Sequence, residues 1–402
     1  MKILLYGINY SPELTGIGKY SGEMARWLAA QGHEVRVVTA PPYYPDWKVR
    51  EDFSAWRYSK RKEEGVTVIR CPLYVPPRPT GIKRIVHLAS FSLSSSLAII
   101  GQLLWKPDLV ILVVPTLFCA PQALLLAKLS GAKSVLHIQD YEVDALFGLG
   151  IAKSKGLKRF AFAAERLLLR AFDRVSTISS GMLQRASDKG VEEAKLCFFP
   201  NWSEVARFQG VSRNAGLLQR LGVTPGKRVL LYSGNIGEKQ GLECLIEAAA
   251  QLVVQPDLLF LIVGEGAGKP RLLQMVAQRG LSNVVFAPLQ PYEDLPALLA
   301  SVDCHLVIQK RGAADAVLPS KLTNILAVGG NALITADPDT SLGLLCSEYP
   351  GIATRVEPES IGALLEGISA TLALPPHNQI ATGYATEFLD KDIILSRFLV
   401  GL

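Results

Sequence analysis

Ile3-Leu4-Leu5-Tyr6, Gly16-Ile17-Gly18, Met24-Ala25-Arg26-Trp27-Leu28 and Val35-Arg36-Val37-Val38 read in order as a buried strand, a glycine loop, a helix and a second strand. The same order recurs past the middle of the 402-residue chain. There Val229-Leu230-Leu231-Tyr232-Ser233 is the strand, Gly234-Asn235-Ile236-Gly237 the loop, Leu242 to Val253 the helix and Leu259 to Val263 the next strand. This βαβ unit can place a phosphate against the free N–H groups of a helix N-terminus. Two such units predict an α/β protein of two Rossmann-like parallel-sheet domains, 1–200 and 201–383, facing one another across a cleft. The final stretch, 384–402, reads as a helix that packs back on the first domain.

With 49% apolar and 19% charged residues, the chain has the composition of a packed globular protein. The six cysteines, Cys71, Cys119, Cys197, Cys244, Cys304 and Cys346, lack metal-type spacing and read as reduced thiols of a cytoplasmic protein. The apolar run at the start is too short for a signal peptide. Residues 1–200 hold 27 Lys+Arg against 17 Asp+Glu, a net of +10, and the rest hold 15 against 19, a net of −4. The basic half suits an anionic surface. No stacking platform, helix-turn-helix or RNP-type signature accompanies it, so nucleic acid is not expected.

Ile85 to Trp105 carries no formal charge and is flanked by Lys83, Arg84 and Lys106. It is long enough to cross a bilayer, but five serines, His87 and Gln102 make it poor for a span. A buried or domain-surface helix and an interfacial one attracted to anionic lipid both fit. Further strands are expected at Leu109–Val114, Ser134–Ile138 and Val175–Ser179, then at 284–286, 304–308 and 332–335. Two aromatic segments, Tyr43 to Trp47 and Phe53 to Tyr58, read as a loop region.

Candidate site residues follow from placement. Gly16 and Gly18 open a helix where backbone N–H groups can approach a ligand. His137 and Gln139 share one face at the end of a strand, the edge where open α/β sheets bind ligands, with Asp140, Glu142 and Asp144 following. Gly264-Glu265-Gly266-Ala267-Gly268 is a second glycine turn, but its spacing is not the dinucleotide fingerprint, which argues against a nicotinamide-dependent oxidoreductase. The stretch from Lys310 and Arg311 through Asp315 to Ser320 and Lys321 delivers three cations. Ser320 can cap a helix Leu322–Val328 that Gly329-Gly330 ends. A diphosphate there would meet the helix dipole and Lys321 together. Asp337-Pro338-Asp339 has the spelling of a metal-binding pair but reads as a turn, and no metal is expected.

Together these stretches resemble the GT4 family of GT-B glycosyltransferases over nearly the whole chain. The resemblance rests on Tyr10 to Tyr20, Leu28 to Val35, Val263-Gly264-Glu265-Gly266 and Ile325 to Gly330. Leu136 to Asp144, Ser233 to Gly241 and Gln309 to Asp315 carry a narrower resemblance to colanic acid biosynthesis glycosyltransferases. It implies transfer of L-fucose from GDP-fucose to an undecaprenyl-diphosphate-linked sugar, with retained configuration and neither metal nor cofactor. It also implies peripheral attachment to the cytoplasmic face of the membrane. The implied donor site holds Gly16, Gly18, Gly234, Asn235, Lys239, Gln240, Gly264, Glu265, Gly266, Lys310, Arg311, Ser320 and Asn324, with His137, Asp315 and Lys321 at the chemistry. Lys239 and Lys321 are expected at the diphosphate, Asn324 and Glu265 near the nucleoside, and Asp315 and His137 near the donor sugar. The sequence departs from the family at Asn235 and Gln240, where it usually carries Arg and Lys, and at Ala316 and Asn324, where it carries glutamates. N-acetylfucosamine or mannose as donor sugar, and a silent partner that binds nucleotide or lipid-linked sugar without turnover, are the alternatives.

Overall fold

A computed structural model describes residues 1–13, 16–77, 81–144, 155–237, 240–311 and 320–402, and only the backbone of Lys155, Leu157 and Ser320. Asp315 and Lys239 lie outside the described residues. The chain forms two compact units, Met1–Pro200 with Leu395–Leu402, and Asn201–Ile394.

The first unit is built on an eight-stranded sheet of order β3-β4-β2-β1-β5-β6-β7-β8. Its strands are β1 (Lys2–Tyr6), β2 (Glu34–Thr39), β3 (Ser59–Glu63), β4 (Val66–Arg70), β5 (Leu109–Val114), β6 (Lys133–Ile138), β7 (Arg174–Thr177) and β8 (Leu196–Phe198). The central strand β5 is buried at every position, as expected for a parallel strand covered by helices on both faces. The edge departs from the all-parallel expectation: β3 pairs antiparallel with β4. The two-residue turn between them places Glu64 at φ 47° and Gly65 at φ 84°, the geometry that lets a tight hairpin follow the strand twist.

Helices α1 (Gly16–Ala30), α2 (Gly81–Gly101), α3 (Ala120–Ser130), α4 (Lys155–Ala171) and α5 (Ser180–Asp188) belong to this unit. On α2 the buried residues His87, Leu88, Phe91, Ser92, Ser95 and Ile99 recur at helical spacing and face the domain. Its serines bond inward: Ser95 Oγ meets the Tyr6 hydroxyl at 2.6 Å, and Ser92 Oγ donates to the Phe118 carbonyl at 2.8 Å. By length and composition α2 is apolar enough to cross a membrane. One of its faces is nevertheless committed to the sheet, and the apolar residues Leu93, Leu97 and Ile100 are exposed on another.

The second unit has a six-stranded parallel sheet of order β11-β10-β9-β12-β13-β14. Its strands are β9 (Arg228–Ser233), β10 (Leu258–Val263), β11 (Val284–Ala287), β12 (Cys304–Val307), β13 (Ala332–Thr335) and β14 (Thr354–Val356). Counted within the unit this is the Rossmann order 3-2-1-4-5-6, whose direction reverses between β9 and β12. Helices α6 (Glu243–Gln251), α7 (Lys269–Gln278), α8 (Ser320–Val328) and α9 (Ile361–Leu372) belong to it. The continuous helix expected from Tyr384 is interrupted. A π-turn over Ala385–Leu389 ends at Asp390, whose carboxylate accepts from the N–H groups of Asp392 and Ile393 and starts α10 (Lys391–Val400) afresh. The chain rejoins the first unit at Leu395, where Phe398 stacks on Phe199 at 3.8 Å.

Inside the first unit the Lys189 ammonium is buried between the carboxylates of Glu165 and Asp144 and lies 4.7 Å from the centre of the Phe162 ring. Removing a carboxylate from a buried pair strands the opposite charge. Glu165→Ala combined with Asp144→Ala, which removes both partners, is therefore expected to lower unfolding free energy by about 3–5 kcal/mol in urea titrations. A loss below about 1 kcal/mol would show that Lys189 is hydrated without its partners.

Candidate functional site

In an open parallel sheet, ligands bind beyond the carboxyl ends of the strands where the order reverses. In the second unit that point lies between β9 and β12, and the loops after β9 and β10 meet there. Gly234 N donates to Val263 O at 3.0 Å, Ile236 N to Glu265 O at 2.8 Å and Gly268 N to Ile236 O at 2.9 Å. This approach needs glycine. A Cβ at Gly264 would stand 2.0 Å from the Gly234 carbonyl oxygen, and one at Gly266 2.4 Å from that of Ile236. Gly234 and Gly266, at φ 148° and 150°, also hold backbone conformations that side chains disfavour. The Gln240 side chain fixes the same loop by accepting from Gly237 N at 3.1 Å. The carbonyl of Asn235 accepts from the Tyr232 hydroxyl at 2.6 Å.

Lys321, the second residue of α8, lies beneath this loop. Its ammonium sits 4.3 Å from the centre of the Tyr232 ring, and its Cδ would be 4.0 Å from a Cβ on Gly234. Among the described residues no carboxylate pairs with it. Burial lowers its pKa from 10.5 to about 8. An uncompensated, partly buried cation at a helix N-terminus is arranged for an anion. The aliphatic part of Lys310 lies against Gly241.

The structure does not bring every expected residue to this point as an available group. Arg311 is turned to acids, 2.9 Å from Asp337 and 2.5 Å from Glu357, so its charge is already answered. The Glu265 carboxylate is tied to Lys269 at 2.6 Å. The Asn324 side-chain oxygen accepts from Ser203 Oγ at 2.8 Å. Ser320 begins the described part of α8, and its side chain lies outside the described residues. Asp337 is part of a turn, as read: its carbonyl accepts from the Thr340 hydroxyl at 2.7 Å. No cluster of metal-ligating side chains occurs among the described residues.

In the first unit, Gly18 has a different use from the expected one. A Cβ there would lie 2.4 Å from the Glu13 carboxylate, which fills the space that the glycine leaves. Glu13 is buried, accepts from Asn9 Nδ2 at 3.0 Å and holds the backbone N–H groups of Tyr43 and Tyr44 at 3.2 Å. A carboxylate in that place organises the aromatic loop and repels a phosphate. His137 is enclosed as well. Its Nδ1 meets Ser176 Oγ at 3.0 Å, its Nε2 meets Gln139 Nε2 at 2.9 Å, and burial lowers its pKa to about 3. The ring stays neutral with both nitrogens engaged, so it reaches a ligand only through Gln139.

The switch point of the first sheet, between β1 and β5, holds a cavity of about 180 Å³. Asn9, Gly16, Trp47, Arg84, His87 and Glu142 are among its lining residues. Burial raises the Glu142 pKa to about 7 and lowers that of His87 to about 4. Sequence reasoning missed Glu13, Arg84 and His87 as site-forming groups. Only the tight Gly18 position hinted at a buried neighbour.

Residues 15–202 match the model of the glycosyl transferase 4-like domain, and residues 217–388 that of glycosyl transferases group 1. The chain is 62% identical over 404 aligned residues to a protein of Escherichia coli (strain K12) assigned to colanic acid biosynthesis as the glycosyl transferase WcaI, covering 99% of each chain. Among solved structures, sucrose-phosphate synthase from Thermosynechococcus elongatus superposes with a TM-score of 0.71 at 16% identity, covering 99% of this chain and 97% of that one. The Anabaena protein HepE, in complex with UDP-glucose, superposes with a TM-score of 0.66 at 15% identity over 100% of each chain. These structures share the fold, and with the two domain matches they define a glycosyltransferase of GT-B fold. The chain belongs to the GT4-like, group 1 glycosyltransferases.

The displaced pKa of Lys321 gives the site a pH signature. A bound diphosphate favours the protonated lysine and raises its pKa, so above pH 8 each binding event takes up a proton. Affinity for a nucleoside diphosphate is therefore expected to fall between pH 8 and 9 by up to about tenfold, and to be flat below pH 7.5. Calorimetric titrations across this range check it, and Lys321→Met should abolish the slope. A slope that persists in Lys321→Met would place the titrating group elsewhere.

Proposed function

We propose that this glycosyltransferase moves L-fucose from GDP-fucose to an undecaprenyl-diphosphate-linked sugar in colanic acid-type exopolysaccharide biosynthesis, with retention of configuration. The observation that supports the donor side is Lys321, a cation with no carboxylate partner among the described residues, beneath a glycine-locked loop at the sheet's switch point. The pathway is supported by the 62% identity to WcaI, and the donor sugar by the resemblance of the Ser233–Gly241 and Gln309–Asp315 stretches.

In the reaction the bond between the anomeric carbon and the diphosphate oxygen breaks, and the bond to the acceptor oxygen forms. GDP leaves with the electron pair, and the acceptor hydroxyl gives its proton to the departing diphosphate oxygen. The main task is to stabilise the charge developing on the leaving diphosphate. Lys321 and the N-terminal N–H groups of α8 supply that, with Lys310 and Lys239 as further cations. The loops at Gly234, Asn235, Gln240, Gly264 and Gly266 shape the cradle, Asn324 and Glu265 border the nucleoside, and Asp315 borders the donor sugar. Lys321→Ala is expected to remove most turnover while leaving the melting temperature within a few degrees of wild type. GDP and GDP-fucose should raise that temperature more than UDP, CMP or dTDP. Stabilisation by UDP species alone would replace the donor assignment, and nucleotide binding without transfer to any lipid-linked acceptor would favour a silent partner.

The lipid-linked acceptor fits an attachment to the membrane face. Leu93 and Leu97 on α2 are 75% and 67% exposed, and Leu104 just beyond it is 94% exposed. Leu125 and Leu129 on α3, which packs beside α2, are exposed too, as is Phe160 on α4, which packs beside α3. Lys83, Lys106, Lys128 and Arg159 are exposed on or next to the same helices, which suits anionic lipid. Leu93→Ser with Leu97→Ser should weaken flotation with phosphatidylglycerol vesicles at least tenfold without lowering GDP affinity. Undiminished flotation would remove this face from membrane binding.

A further inference from the structure

Tyr232 meets both parts of the second unit's anion site, the glycine loop and Lys321. It lies near the end of β9, a strand that borders the switch point, and is 1% exposed. Side chains alternate along a strand, so Leu230 and Tyr232 enter one core cluster while Val229 and Leu231 enter the other. Ile236, Phe260 and Ile262 share the cluster of Tyr232 and hold its ring. From there the hydroxyl donates to Asn235 O at 2.6 Å, and the Lys321 ammonium rests over the ring, 4.3 Å from its centre. Burial pushes the phenol well above its ordinary range, so it stays protonated and remains a donor.

Each contact has its own consequence. The loop spends most of its backbone donors internally. Gly234 N–H goes to Val263 O, Ile236 N–H to Glu265 O and Gly237 N–H to the Gln240 side chain. Asn235 is exposed, and its N–H makes no hydrogen bond among the described residues. A free carbonyl oxygen in that place would repel a phosphate oxygen, and the Tyr232 hydroxyl keeps the Asn235 carbonyl occupied. The ring acts on the lysine. Burial lowers the Lys321 pKa, and no charged neighbour among the described residues contributes. Tyr232 is the titratable group that faces it. The face of an aromatic ring is negative and attracts an ammonium, so it opposes loss of the proton. A carboxylate in the same place would hold the charge more strongly but would compete with the phosphate.

We propose that Tyr232 is a positioning residue of the donor site: its hydroxyl sets the loop so that the Asn235 N–H is left for the diphosphate, and its ring holds the Lys321 ammonium for the same anion. This rests on the reading of that loop and lysine as a diphosphate site. Two variants of the full chain separate the contacts. Tyr232→Phe removes the hydroxyl and keeps the ring. Pentafluorophenylalanine at position 232 keeps the shape of phenylalanine and reverses the charge of the ring face. GDP and UDP are titrated calorimetrically into the wild type and both variants between pH 6.5 and 9. The nucleotide that binds the wild type more tightly is expected to bind Tyr232→Phe about tenfold more weakly at pH 7, with the onset of the alkaline loss of affinity unchanged. In the fluorinated variant that onset should move down by about half a pH unit or more relative to Tyr232→Phe, because the ring no longer favours the ammonium. A merely structural role would weaken binding without moving the onset. If the fluorinated variant fails to fold, Tyr232→Phe decides alone, with its melting temperature within a few degrees of wild type as the control. Wild-type affinity in Tyr232→Phe, or an onset shared by the two variants, would overturn the proposal. Failure of both nucleotides to bind the wild type would retire the diphosphate site itself, and the proposal with it.

Discussion

The close backbone approach of Gly234 and Gly264 is the constraint on which the second unit's site depends. The carbonyl of Gly234 occupies the space where any other residue at 264 would put its Cβ. That contact lets Ile236 donate to Glu265 and Gly268 donate to Ile236, so two loops from neighbouring strands become one rigid surface. Lys321 is partly buried under this surface and the Tyr232 ring, and its depressed pKa is the electrostatic consequence. Among the described residues no carboxylate answers this cation, and such a group favours an anionic ligand.

The same βαβ plan serves opposite chemistry in the two units. In the first, Gly18 makes room for the Glu13 carboxylate, and the switch-point cavity is lined by Asp140 and Glu142 beside Arg84. In the second, the glycines serve loop contact, and the group below is an ammonium. The fold is shared, and the functions diverge at the few side chains that replace one another around it. Helix α2 links two roles within the first unit. His87 on its inner face lines the cavity, and its outer face carries exposed leucines.

The strands and both Rossmann-like sheets were legible because buried parallel strands are short apolar runs bounded by turn-forming residues. Leu109–Val114 stood out for that reason, whereas the charged edge strand Ser59–Glu63 did not, since only its pairing with Val66–Arg70 makes it a strand. The break at Asp390 was hidden in an otherwise helical pattern because a distant residue holds it: Ser203 N donates to Leu389 O at 2.8 Å and Lys391 N to Ser203 O at 3.2 Å. Site residues were less legible than the fold. Lys321 could be placed from the loop and helix that carry it. The enclosure of His137 and the ion pairs of Arg311 depend on Ser176, Asp337 and Glu357, which are distant in sequence. The cavity around His87 and Glu142 joins residues from β-strand ends and from α2, and no local spacing announces it.

A structure of the protein with GDP bound tests the central claim most directly. The account predicts the β-phosphate within hydrogen-bond distance of Lys321 Nζ and of backbone N–H groups in the Gly234–Gly237 loop. A diphosphate seated away from that loop, with Lys321 still buried on Tyr232, would contradict it.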